Sequence, residues 1–532
     1  MTTELHDYRR TLLALLIAGA GCMASAADSP RPSDSPPPRR PKNVILLVTD
    51  EYRAGCFSFL GHPLARTPNL DRLAKGGAVF DRALCAYPVC TGSRGALHSG
   101  MWPHTSGVNL NVDPDPHPSA GLPADTVLLA TVFHDAGYKT YHHGKWHLGD
   151  VKRHACYNWT PEAKSFPRED YLPVLARYSR THPVPAGLPP GLNTYWGWPL
   201  LETPAMREFH ELHPKLPYQA GCWTLPLEMD PTTFITDQTL ANIDHSGGQP
   251  LEITWSEPGP HGPHVVEEPY YSRIKLADVA LPENTARPDY LAKDPSCQAY
   301  DAMGEDGVRE YLRCYYALIM KIDDQIGRIL KSLEDRGELD DTLIIFTADH
   351  GDMGGAHRSA GGKAVWAFYD EITRVPLLMF WPKGIRGGRR VQTLVNNVDV
   401  MPTVLDYAGL PVPRQCQGQS LRRLIDGQED LARPGFCEAT HPEAIAVRRM
   451  IQTQEWKLWF YYQGPPRRIP LTEARPVTLY HLTDDPGEEH NLAADPKYAD
   501  IRRQLQERLI GWMKATHDPW LKYLPPLPDT GN

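Results

Sequence analysis

The sequence predicts an α/β fold built on a doubly wound, mostly parallel sheet that is flanked by helices. The first observation is that four short apolar segments each end abruptly in polar residues. Continuous apolar runs of this length are typical of strands buried on both faces, as in a parallel sheet. The second observation is that amphipathic helical patterns lie between these segments, and alternating strands and helices indicate this class of fold. With 532 residues, the chain is long enough for two or more structural units.

Each of the four predicted strands leads directly into residues that carry chemistry. In chain order they are NVILLV followed by Asp50 and Glu51, YKTYHHG followed by Lys145 and His147, LEITW followed by SEPGP and His261, and TLIIFTA followed by Asp349 and His350. In doubly wound sheets, ligands bind outside the carboxyl ends of the strands. We therefore expect these side chains to meet at one edge of the sheet.

The clearest helical pattern lies within residues 310–337. Apolar residues recur there at spacings of three and four, namely Leu312, Tyr315, Ile319, Ile322, Ile326, Ile329 and Leu333. This spacing predicts a helix with one buried face, and Gly337 is a suitable residue to end it.

The pattern changes after about residue 430. The segments MIQTQEWKLWFYYQG and VTLYHLTDD predict antiparallel strands, and YADIRRQLQERLIGWMKATHDP predicts an amphipathic helix. We therefore expect a catalytic domain at 43–430 and a smaller α+β subdomain, with an antiparallel sheet, at 431–532.

The N-terminus is predicted to be an export signal. Arg9 and Arg10 precede a short apolar run, which is followed by a small-residue cleavage site. Because a bilayer span needs ~20 apolar residues, this run predicts a cleaved signal peptide at 1–26 and no transmembrane segment. A proline-rich linker at 27–42 follows. The arginine pair fits twin-arginine export, with a lipoprotein anchor at Cys22 as the alternative, so we expect a periplasmic or extracellular protein.

The net charge argues against one class of partner, and the number of cysteines points to a special thiol. The net charge of -9 argues against a nucleic-acid partner, because phosphate binding needs a basic surface. Ten cysteines are present, so loss of Cys22 with the signal leaves an odd number, which indicates a free or chemically special thiol. The candidate is Cys90, because it lies in a polar, glycine-rich turn four residues before Arg94.

Three carboxylates and one imidazole from two strand ends predict a cation site. Asp50, Glu51 and Asp349 offer hard oxygen ligands, and His350 adds a nitrogen. This set suits Ca²⁺, with Mg²⁺ also possible, whereas a zinc site usually contains more histidines or thiolates. The alternative is that these acidic residues only cap helices at the strand ends.

Several basic residues predict an anion pocket next to this cation site. Lys145, His147, His261 and Lys363 provide positive charge or hydrogen-bond donors, and Arg94 lies close to the special cysteine. Cationic side chains and a metal ion together stabilise charge on a transferring tetrahedral group. Taken singly, each of these residues is equally compatible with a solvated surface position.

These motifs resemble those of the sulfatase family of the alkaline-phosphatase superfamily, including its iduronate-2-sulfatase-type enzymes. The similar segments span nearly all of the mature chain and include RTPNLDRLAKGGAVF, PVCTGSRGALHSG, HGKWHLG, TADHGD, RVPLLMFWP and LYHLTDDPGEEHNLA. The second segment resembles the sulfatase signature, in which a cysteine precedes a proline by two residues and an arginine by four. The resemblance implies an alkaline-phosphatase-like fold and a sulfuric ester hydrolase.

The resemblance also implies a role for each candidate residue. In this family a maturing enzyme oxidises the motif cysteine, here Cys90, to Cα-formylglycine, whose hydrate supplies the nucleophilic oxygen. The implied metal ligands are Asp50, Glu51, Cys90 (as formylglycine), Asp349 and His350. Arg94 would steady the hydrate, and the sulfate and the protons would be handled by Lys145, His147, His261 and Lys363. Asp349 would accept the first proton, His261 or Lys363 would protonate the leaving alcohol, and His147 would assist sulfate release.

Two positions depart from the family pattern. Gly92 stands where the signature usually has proline, and Glu51 stands where aspartate is usual. The remaining alternatives are a phosphodiesterase or phosphonate monoester hydrolase of the same superfamily, and a non-catalytic protein that binds sulfated glycans.

The expected substrate is a sulfated carbohydrate. Trp196 and Trp198 could stack on a sugar or simply pack, and His264 and Glu257 lie near the predicted mouth of the site. The NWT sequence at Asn158 is a possible glycosylation site.

Overall fold

The four predicted strands lie side by side in one sheet. The computed structural model describes residues 39–109, 111–112, 121–149, 194–195, 198–212, 219–363, 367–441, 446–463 and 475–523. Several sequence predictions fall outside the described residues, namely the signal peptide at 1–26 with Cys22, most of the linker at 27–42, Asn158, Trp196 and the side chain of Trp198.

The central sheet contains seven of the described strands. In spatial order they are β13 (Arg389–Val391), β2 (Ala78–Phe80), β12 (Leu377–Phe380), β10 (Thr342–Ala348), β1 (Asn43–Asp50), β8 (Leu251–Pro260) and β4 (Lys139–Gly144). β10, β1, β8 and β4 are parallel neighbours, and they are the four strands that the sequence predicts. β12 is antiparallel to β10 and to β2. The doubly wound, mostly parallel α/β fold is therefore confirmed.

β1 lies between two parallel neighbours and is buried along its whole length. Its Leu47 is in register with Trp255 on β8 and with Phe346 on β10. A strand covered on both faces must be apolar on both faces, which is why its sequence lacks the alternation of a half-exposed strand. Because β1, β8 and β10 are parallel, their carboxyl ends lie at the same edge of the sheet.

Helices cover the sheet and connect its strands. The described α-helices are α1 (Pro68–Gly76), α2 (Cys90–Ser99), α3 (Pro103–Ser106), α4 (Leu129–Asp135), α5 (Pro204–Leu212), α6 (Pro231–Asp244), α7 (Pro295–Asp335), α8 (Asp370–Thr373), α9 (Val400–Ala408), α10 (Arg422–Ile425) and α11 (Ala499–Ala515). Among the described helices, none combines the length and the apolar character that crossing a membrane requires.

α7 is the long helix that the sequence predicts within residues 310–337. It begins earlier, where the Asp294 side chain accepts a hydrogen bond from the Ser296 amide and Pro295 occupies the first turn. Gly304 interrupts it with a φ of 65° and a ψ of 177°. The helix ends just before Gly337, whose φ of 66° is the left-handed conformation expected after a helix.

The C-terminal region contains a separate antiparallel sheet, as predicted. Its strands are β15 (Gly435–His441), β16 (Ala446–Gln452), β17 (Trp456–Gln463) and β18 (Arg475–His481), and α11 packs against β16 and β17. β15 was not predicted from the sequence. We retain 431–532 as the proposed extent of this subdomain.

Two smaller sheets complete the described structure. One joins β3 (Ala83–Leu84), β11 (Arg374–Val375) and β14 (Val395–Asn396). The other joins β5 (Thr194–Tyr195), β6 (Trp198–Leu201), β7 (Ala220–Trp223) and β9 (His264–Glu267). The eight cysteines in the described part of the chain are all free thiols.

Candidate active site

Cys90 is the first residue of α2 and is buried near the end of β1. Four polar side chains surround its Sγ, which lies 3.6 Å from Asp50 Oδ1, 3.4 Å from His350 Nε2, 3.5 Å from Lys145 Nζ and 3.0 Å from Lys363 Nζ. Residues separated by up to 313 positions in the chain therefore meet at one sulfur atom. We name this group, together with Arg94 and Asp349, the Cys90 cluster.

The pKa of the Cys90 thiol results from opposing effects. Burial raises the pKa of this thiol, and the Asp50 carboxylate raises it further. The cationic groups of Lys145, Lys363 and His350 outweigh both and lower the pKa well below its ordinary value. Cys90 is thus a reactive type of cysteine, because the nearby positive charges favour its ionised, nucleophilic thiolate form. In contrast, burial and the neighbouring Glu310 raise the pKa of Cys314 well above its ordinary value.

Arg94 orients the two aspartates of the cluster. It lies one turn after Cys90 on α2 and is completely buried. Its Nε donates to Asp349 Oδ2 at 2.8 Å, and its Nη2 donates to Asp50 Oδ2 at 3.0 Å. Its Nη1 donates to the Lys145 carbonyl at 3.1 Å and to Ser256 Oγ at 2.7 Å. Because one rigid guanidinium holds both carboxylates, their positions are fixed relative to Cys90.

The remaining contacts of Asp349 and His350 prepare both side chains for ligation. Asp349 Oδ1 accepts hydrogen bonds from the amides of Glu51, at 3.2 Å, and of His350, at 2.8 Å. His350 Nδ1 lies 2.8 Å from the Gly351 carbonyl, a contact in which Nδ1 must donate, so that Nε2 faces Cys90. Burial lowers the pKa of His350, but the Asp349 carboxylate overcomes this effect and raises the pKa to about 10.

The donor set fits a divalent cation. One ligand atom from each of Asp50, Cys90, Asp349 and His350 lies within 4.8 Å of the ligand atoms of the other three. Asp50, Asp349 and His350 are fully buried, and the two oxygens that Arg94 does not bind, Asp50 Oδ1 and Asp349 Oδ1, lie 4.0 and 3.8 Å from His350 Nε2. Carboxylate oxygens with one imidazole are compatible with Ca²⁺ or Mg²⁺.

Glu51 extends the acidic group on the side of His261 and Lys363. It is buried, with a left-handed φ of 64°, and its Oε1 lies 2.8 Å from Lys363 Nζ and 3.7 Å from His261 Nε2. The Tyr315 hydroxyl donates to the Glu51 carbonyl at 2.6 Å and holds this turn in place. Burial raises the pKa of Glu51, but His261 and Lys363 reverse this and lower it below its ordinary value.

His261 lies on the more open side of the site. The His261 side chain is 36% exposed, and its Nδ1 lies 2.6 Å from the Gly262 carbonyl. His147 follows Lys145 by two residues, is partly exposed and has a φ of 55°. The structure thus places His261 against Glu51, while a role for His147 in proton transfer stays a prediction.

The structure explains why a glycine, Gly92, occupies this position of the cysteine motif. A Cβ atom at Gly92 would lie only 2.6 Å from Cγ of Tyr87. The Tyr87 hydroxyl donates to the carbonyl of Thr440 at 2.9 Å and also contacts the carbonyl of Asn109, so the ring is held over the first turn of α2. A proline at position 92 would clash with this ring, which explains the departure from the usual signature.

Supporting residues of the site were missed in the sequence. Ser256 directly follows the apolar part of β8, and its Oγ accepts from Arg94 while donating to the Lys145 carbonyl at 2.6 Å. Asn397 donates to Ser93 Oγ at 2.7 Å, and Ser93 contacts the Asp349 carbonyl. Ser256 was open to prediction as the residue that follows the apolar segment LEITW. The pairing of Asn397 with Ser93 depends on contacts between distant segments.

Two other residues near the predicted mouth have different positions. His264 is buried, its ring packs edge-on against Tyr311 at 4.4 Å, and burial lowers its pKa to about 3. His264 therefore belongs to the packed interior. The expectation that it lies near the entrance of the active site is corrected. Glu257 is also buried but lines a cavity that Lys145 and His261 share.

Comparison with known proteins agrees with this geometry. The family model described as Sulfatase matches residues 42–410, and the model described as N-sulphoglucosamine sulphohydrolase, C-terminal, matches residues 365–515. The N-acetylglucosamine-6-O-sulfatase of Bacteroides thetaiotaomicron is 25% identical over 533 residues, covering 95% of this chain and 91% of its own length.

Solved structures share the fold. A protein in complex with its substrate, D-glucosamine-2-N,6-O-disulfate, has a TM-score of 0.66 and 21% identity, covering 90% of this chain and 99% of its own. The phosphonate monoester hydrolase of Silicibacter pomeroyi has a TM-score of 0.71 and 22% identity, covering 90% of this chain and 96% of its own. Because the Sulfatase model spans most of the sequence, including the Cys90 motif and the end of every strand that supplies the site, the chain belongs to the sulfatase family and is a sulfuric ester hydrolase.

Proposed function

We propose that this enzyme hydrolyses sulfate esters of carbohydrates, using a formylglycine made from Cys90 and a divalent cation. The proposal rests on the surroundings of Cys90 Sγ. The ammonium groups of Lys145 and Lys363 lie within 3.5 Å of this sulfur atom, and Asp50 and His350 also contact it. An anionic ester needs such positive groups before a nucleophile can approach it. Conversion of Cys90 requires a separate sulfatase-maturing enzyme, which is the protein partner we propose.

The cation would be held by Asp50, Glu51, Asp349 and His350 beside position 90. Ca²⁺ is the preferred candidate, because the ligand set is dominated by carboxylates, and Mg²⁺ is the second. When bound, such a cation withdraws negative charge from the sulfate group and favours the ionised form of an adjacent hydroxyl.

The cationic side chains of this chain would bind and orient the ester. The Nζ atoms of Lys145 and Lys363 lie 3.5 and 3.0 Å from Cys90 Sγ, so both ammonium groups would pair with the sulfate oxygens. Arg94 acts through Asp50 and Asp349, whose positions it fixes, so we assign it a positioning role. Side chains that are already fixed in position need not reorient when negative charge develops on the ester in the transition state. This preorganisation is the main source of electrostatic stabilisation of a transition state.

We assign proton transfer to three residues. Asp349 would accept the proton of the attacking hydroxyl group at position 90. His261, whose Nδ1 is engaged by the Gly262 carbonyl, has its Nε2 available and would protonate the leaving alcohol, with Lys363 as the alternative. His147 would take the proton of the second hydroxyl group when sulfate is released.

The carbohydrate substrate is supported by relatives whose printed substrates are sugars. The relative from Bacteroides thetaiotaomicron is an N-acetylglucosamine-6-O-sulfatase, and one fold neighbour holds a sulfated glucosamine. The predicted signal at 1–26 would bring the enzyme to the periplasm or the exterior, where sulfated polysaccharides are met.

The modification of Cys90 is tested by mass spectrometry. The protein is produced with and without a sulfatase-maturing enzyme, and the peptide containing Cys90 is labelled with a hydrazide. We expect an aldehyde in the first sample only, together with the sulfatase activity. Activity in a sample that carries only the thiol would contradict the formylglycine mechanism.

The cation is tested by chelation. Dialysis against EGTA or EDTA should abolish activity and lower the melting temperature, since a ligand present at 100 times its Kd stabilises a protein by about 2.7 kcal/mol. Ca²⁺ should restore both properties. A chelated protein with full activity would refute the cation site.

A second candidate function is phosphonate monoester or phosphodiester hydrolysis. It is favoured by the fold neighbour from Silicibacter pomeroyi and by an anion site that suits any tetrahedral group. The two candidates are separated by comparing kcat/KM for an aryl sulfate, an aryl phosphonate and a phosphate diester. A clear preference for the sulfate is expected.

A further inference from the structure

A cavity of about 100 Å³ lies beside the Cys90 cluster. One part of its wall is formed by Lys145 and His261, which also belong to the candidate active site. The rest of the wall comes from β7, β8, β9, the start of α6 and α7, with Glu257, Asp230 and Lys321 as its ionisable residues. A ligand whose sulfate is bound at Cys90 therefore has this cavity next to it.

Glu257 presents an unused hydrogen-bond acceptor in this wall. Side chains alternate along β8, so Ser256 faces Arg94 while Glu257 lies on the other face of the strand. Its Oε1 accepts from Thr232 Oγ1 at 3.0 Å and from the Gly259 amide at 2.9 Å. Its Oε2 is buried and has no hydrogen-bond partner within the described part of the chain. Such an oxygen is costly to bury unless a ligand donates to it.

Lys321 does not make the cavity a second anion site. Its Nζ lies 2.5 Å from Asp230 Oδ1 and 3.0 Å from Glu267 Oε2, so two carboxylates balance its charge. Burial, together with Asp230, raises the pKa of Glu257 to about 8 when no ligand is bound, and a group that donates to Oε2 would lower this pKa again by favouring the ionised form. Apart from Lys145 and His261, which belong to the active site, the wall has two carboxyl groups, Asp230 and Glu257, and one ammonium group that is already paired with carboxylates, which disfavours a second anionic substituent.

The other lining residues suit the carbon face of a sugar ring. Trp223, Val265 and Leu318 supply apolar surface, and three prolines add rigid walls, namely Pro231, Pro258 and Pro263. Trp223, Val265 and Leu318 are all buried, so this surface is part of the folded body. A cavity of this size, about 100 Å³, can take a ring substituent together with part of its ring.

We propose that this cavity selects the substrate by accepting, at Glu257, a hydrogen-bond-donating substituent of the sugar that carries the scissile sulfate, and by excluding a second anionic substituent. The substituent is a hydroxyl or an ammonium group, since both donate to a carboxyl oxygen. The proposal rests on the proposed function, because it takes the sulfated ring to be bound at Cys90.

The test compares three 4-nitrophenyl glycosides that carry the same scissile sulfate and differ in the substituent on the neighbouring carbon. One carries a hydroxyl there, one an amine and one a second sulfate, and 4-nitrophenyl sulfate serves as the substrate without a sugar. We expect the matured wild-type enzyme to prefer the hydroxyl or the amine compound over the disulfate by at least tenfold in kcat/KM. Whichever of the two is preferred identifies the substituent.

Glu257→Gln replaces the unused acceptor with an amide donor while keeping the shape of the side chain. It should lower kcat/KM for the preferred glycoside about tenfold and bring its ratio to the disulfate close to one. Thr232→Val, which removes the hydroxyl that orients Glu257, should have the same effect to a smaller extent. Glu252→Gln is the matched control, because Glu252 is also buried on β8, with an oxygen lacking a partner among the described residues, but does not line the cavity.

Two outcomes would overturn the proposal. In one, the wild type hydrolyses the disulfate as well as the other two glycosides. In the other, Glu257→Gln changes all substrates, including 4-nitrophenyl sulfate, by one common factor. If no sulfate ester is hydrolysed at all, the proposed function fails instead. Calorimetric titration with the sulfate-free glycosides still tests the cavity in that case, since Glu257→Gln must weaken their binding while Glu252→Gln must not.

Discussion

Two buried clusters of ionisable residues in this enzyme use charge in opposite ways. The Cys90 cluster is described above, and the second, which we name the His104 cluster, consists of His104, Glu438, Arg449 and Asp518. In the His104 cluster two bases face two acids. His104 Nδ1 lies 2.6 Å from Glu438 Oε2, and Arg449 binds Asp518 with both Nε, at 2.5 Å, and Nη2, at 3.0 Å. The backbone amide of His104 also donates to Glu438, at 2.7 Å.

In the Cys90 cluster the partners are shared rather than matched one to one, since Asp50 contacts both Arg94 and Lys145. Asp50 and Asp349 share Arg94, and Lys145 and Lys363 both approach one sulfur atom. Like charges are therefore held close together, an arrangement that is unfavourable unless a ligand is bound. From this comparison we infer that the charges of the His104 cluster stabilise the fold by pairing with each other, whereas those of the Cys90 cluster are arranged to bind a ligand.

Tyr87 connects the two clusters. Its ring covers Gly92 in the first turn of α2, and its hydroxyl donates to the Thr440 carbonyl. The hydroxyl of Thr440 accepts in turn from Arg449 Nη1 at 3.0 Å. The C-terminal sheet, through β15, thus supports the helix that carries Cys90.

The largest effect is expected at Cys90 itself. Cys90→Ala should lower kcat roughly 10⁴-fold or more, since removal of a nucleophile from a catalytic unit has effects of this order. Cys314→Ala is the matched control, because it replaces another completely buried thiol and should retain most of the activity. Steady-state kinetics with an aryl sulfate and thermal unfolding measure both properties. Substantial turnover by Cys90→Ala would refute the mechanism.

Removal of one arginine from each cluster should separate chemistry from stability. Arg94→Ala leaves Asp50 in contact with Lys145, so the main expected loss is in kcat, about 10²–10³-fold, through misplaced ligands. Arg449→Ala leaves Asp518 without its main partner and Glu438 with His104 alone, and it should lower the free energy of unfolding by about 3–5 kcal/mol. The activity of the folded Arg449→Ala protein should remain close to that of the wild type. Urea unfolding and kinetics measure the two effects, and equal activity losses would contradict the comparison.

The His104 cluster should give stability a specific pH dependence. Burial lowers the pKa of His104, but the Glu438 carboxylate outweighs it and raises the pKa above the ordinary value of 6.5. A raised pKa in the folded state means that the stabilisation is complete below pH 6.5 and is lost as the pH rises through the folded-state pKa. Unfolding of wild type and His104→Gln should therefore differ by about 1.5–3 kcal/mol at pH 6, and by less at pH 9. A difference that stays constant or grows with pH would contradict this assignment.

The link between the clusters is tested at Gly92. Gly92→Ala places a Cβ 2.6 Å from the Tyr87 ring and should destabilise the protein by about 1–3 kcal/mol. Gly95→Ala, on the same helix, meets its nearest side-chain atom at 3.6 Å and should be neutral or stabilising, by up to about 1 kcal/mol. Urea midpoints measure both. If both variants are equally stable, the Tyr87 ring does not restrain the helix.

Much of the fold and of the candidate site was predictable because the signals are local. The apolar runs of β1, β4, β8 and β10 mark buried strands, and a parallel sheet then brings their polar ends to one edge. The polar, glycine-rich setting of Cys90 four residues before Arg94, together with the odd number of cysteines, predicted a special thiol, and its chemical role stays a prediction. β15 was missed, because no comparable pattern was recognised in that segment.

The rest depended on contacts between distant segments. The His104 cluster joins residues at 104, 438, 449 and 518, and no local pattern relates them. Lys321 was passed over as one polar position within the apolar pattern of α7, although its burial beside Asp230 makes it part of the cavity wall.

By itself, the sequence determined the fold class, the order of the strands along the chain and the chemical types of the residues at their ends, because hydrophobic periodicity and motif spacing act over a few residues. Only the tertiary structure decided which charges pair one to one and which share partners, and that Glu257 faces a cavity while His264 packs against Tyr311. The physical reason is that the energy of a buried charge depends on its neighbours in space, and long-range packing sets these neighbours.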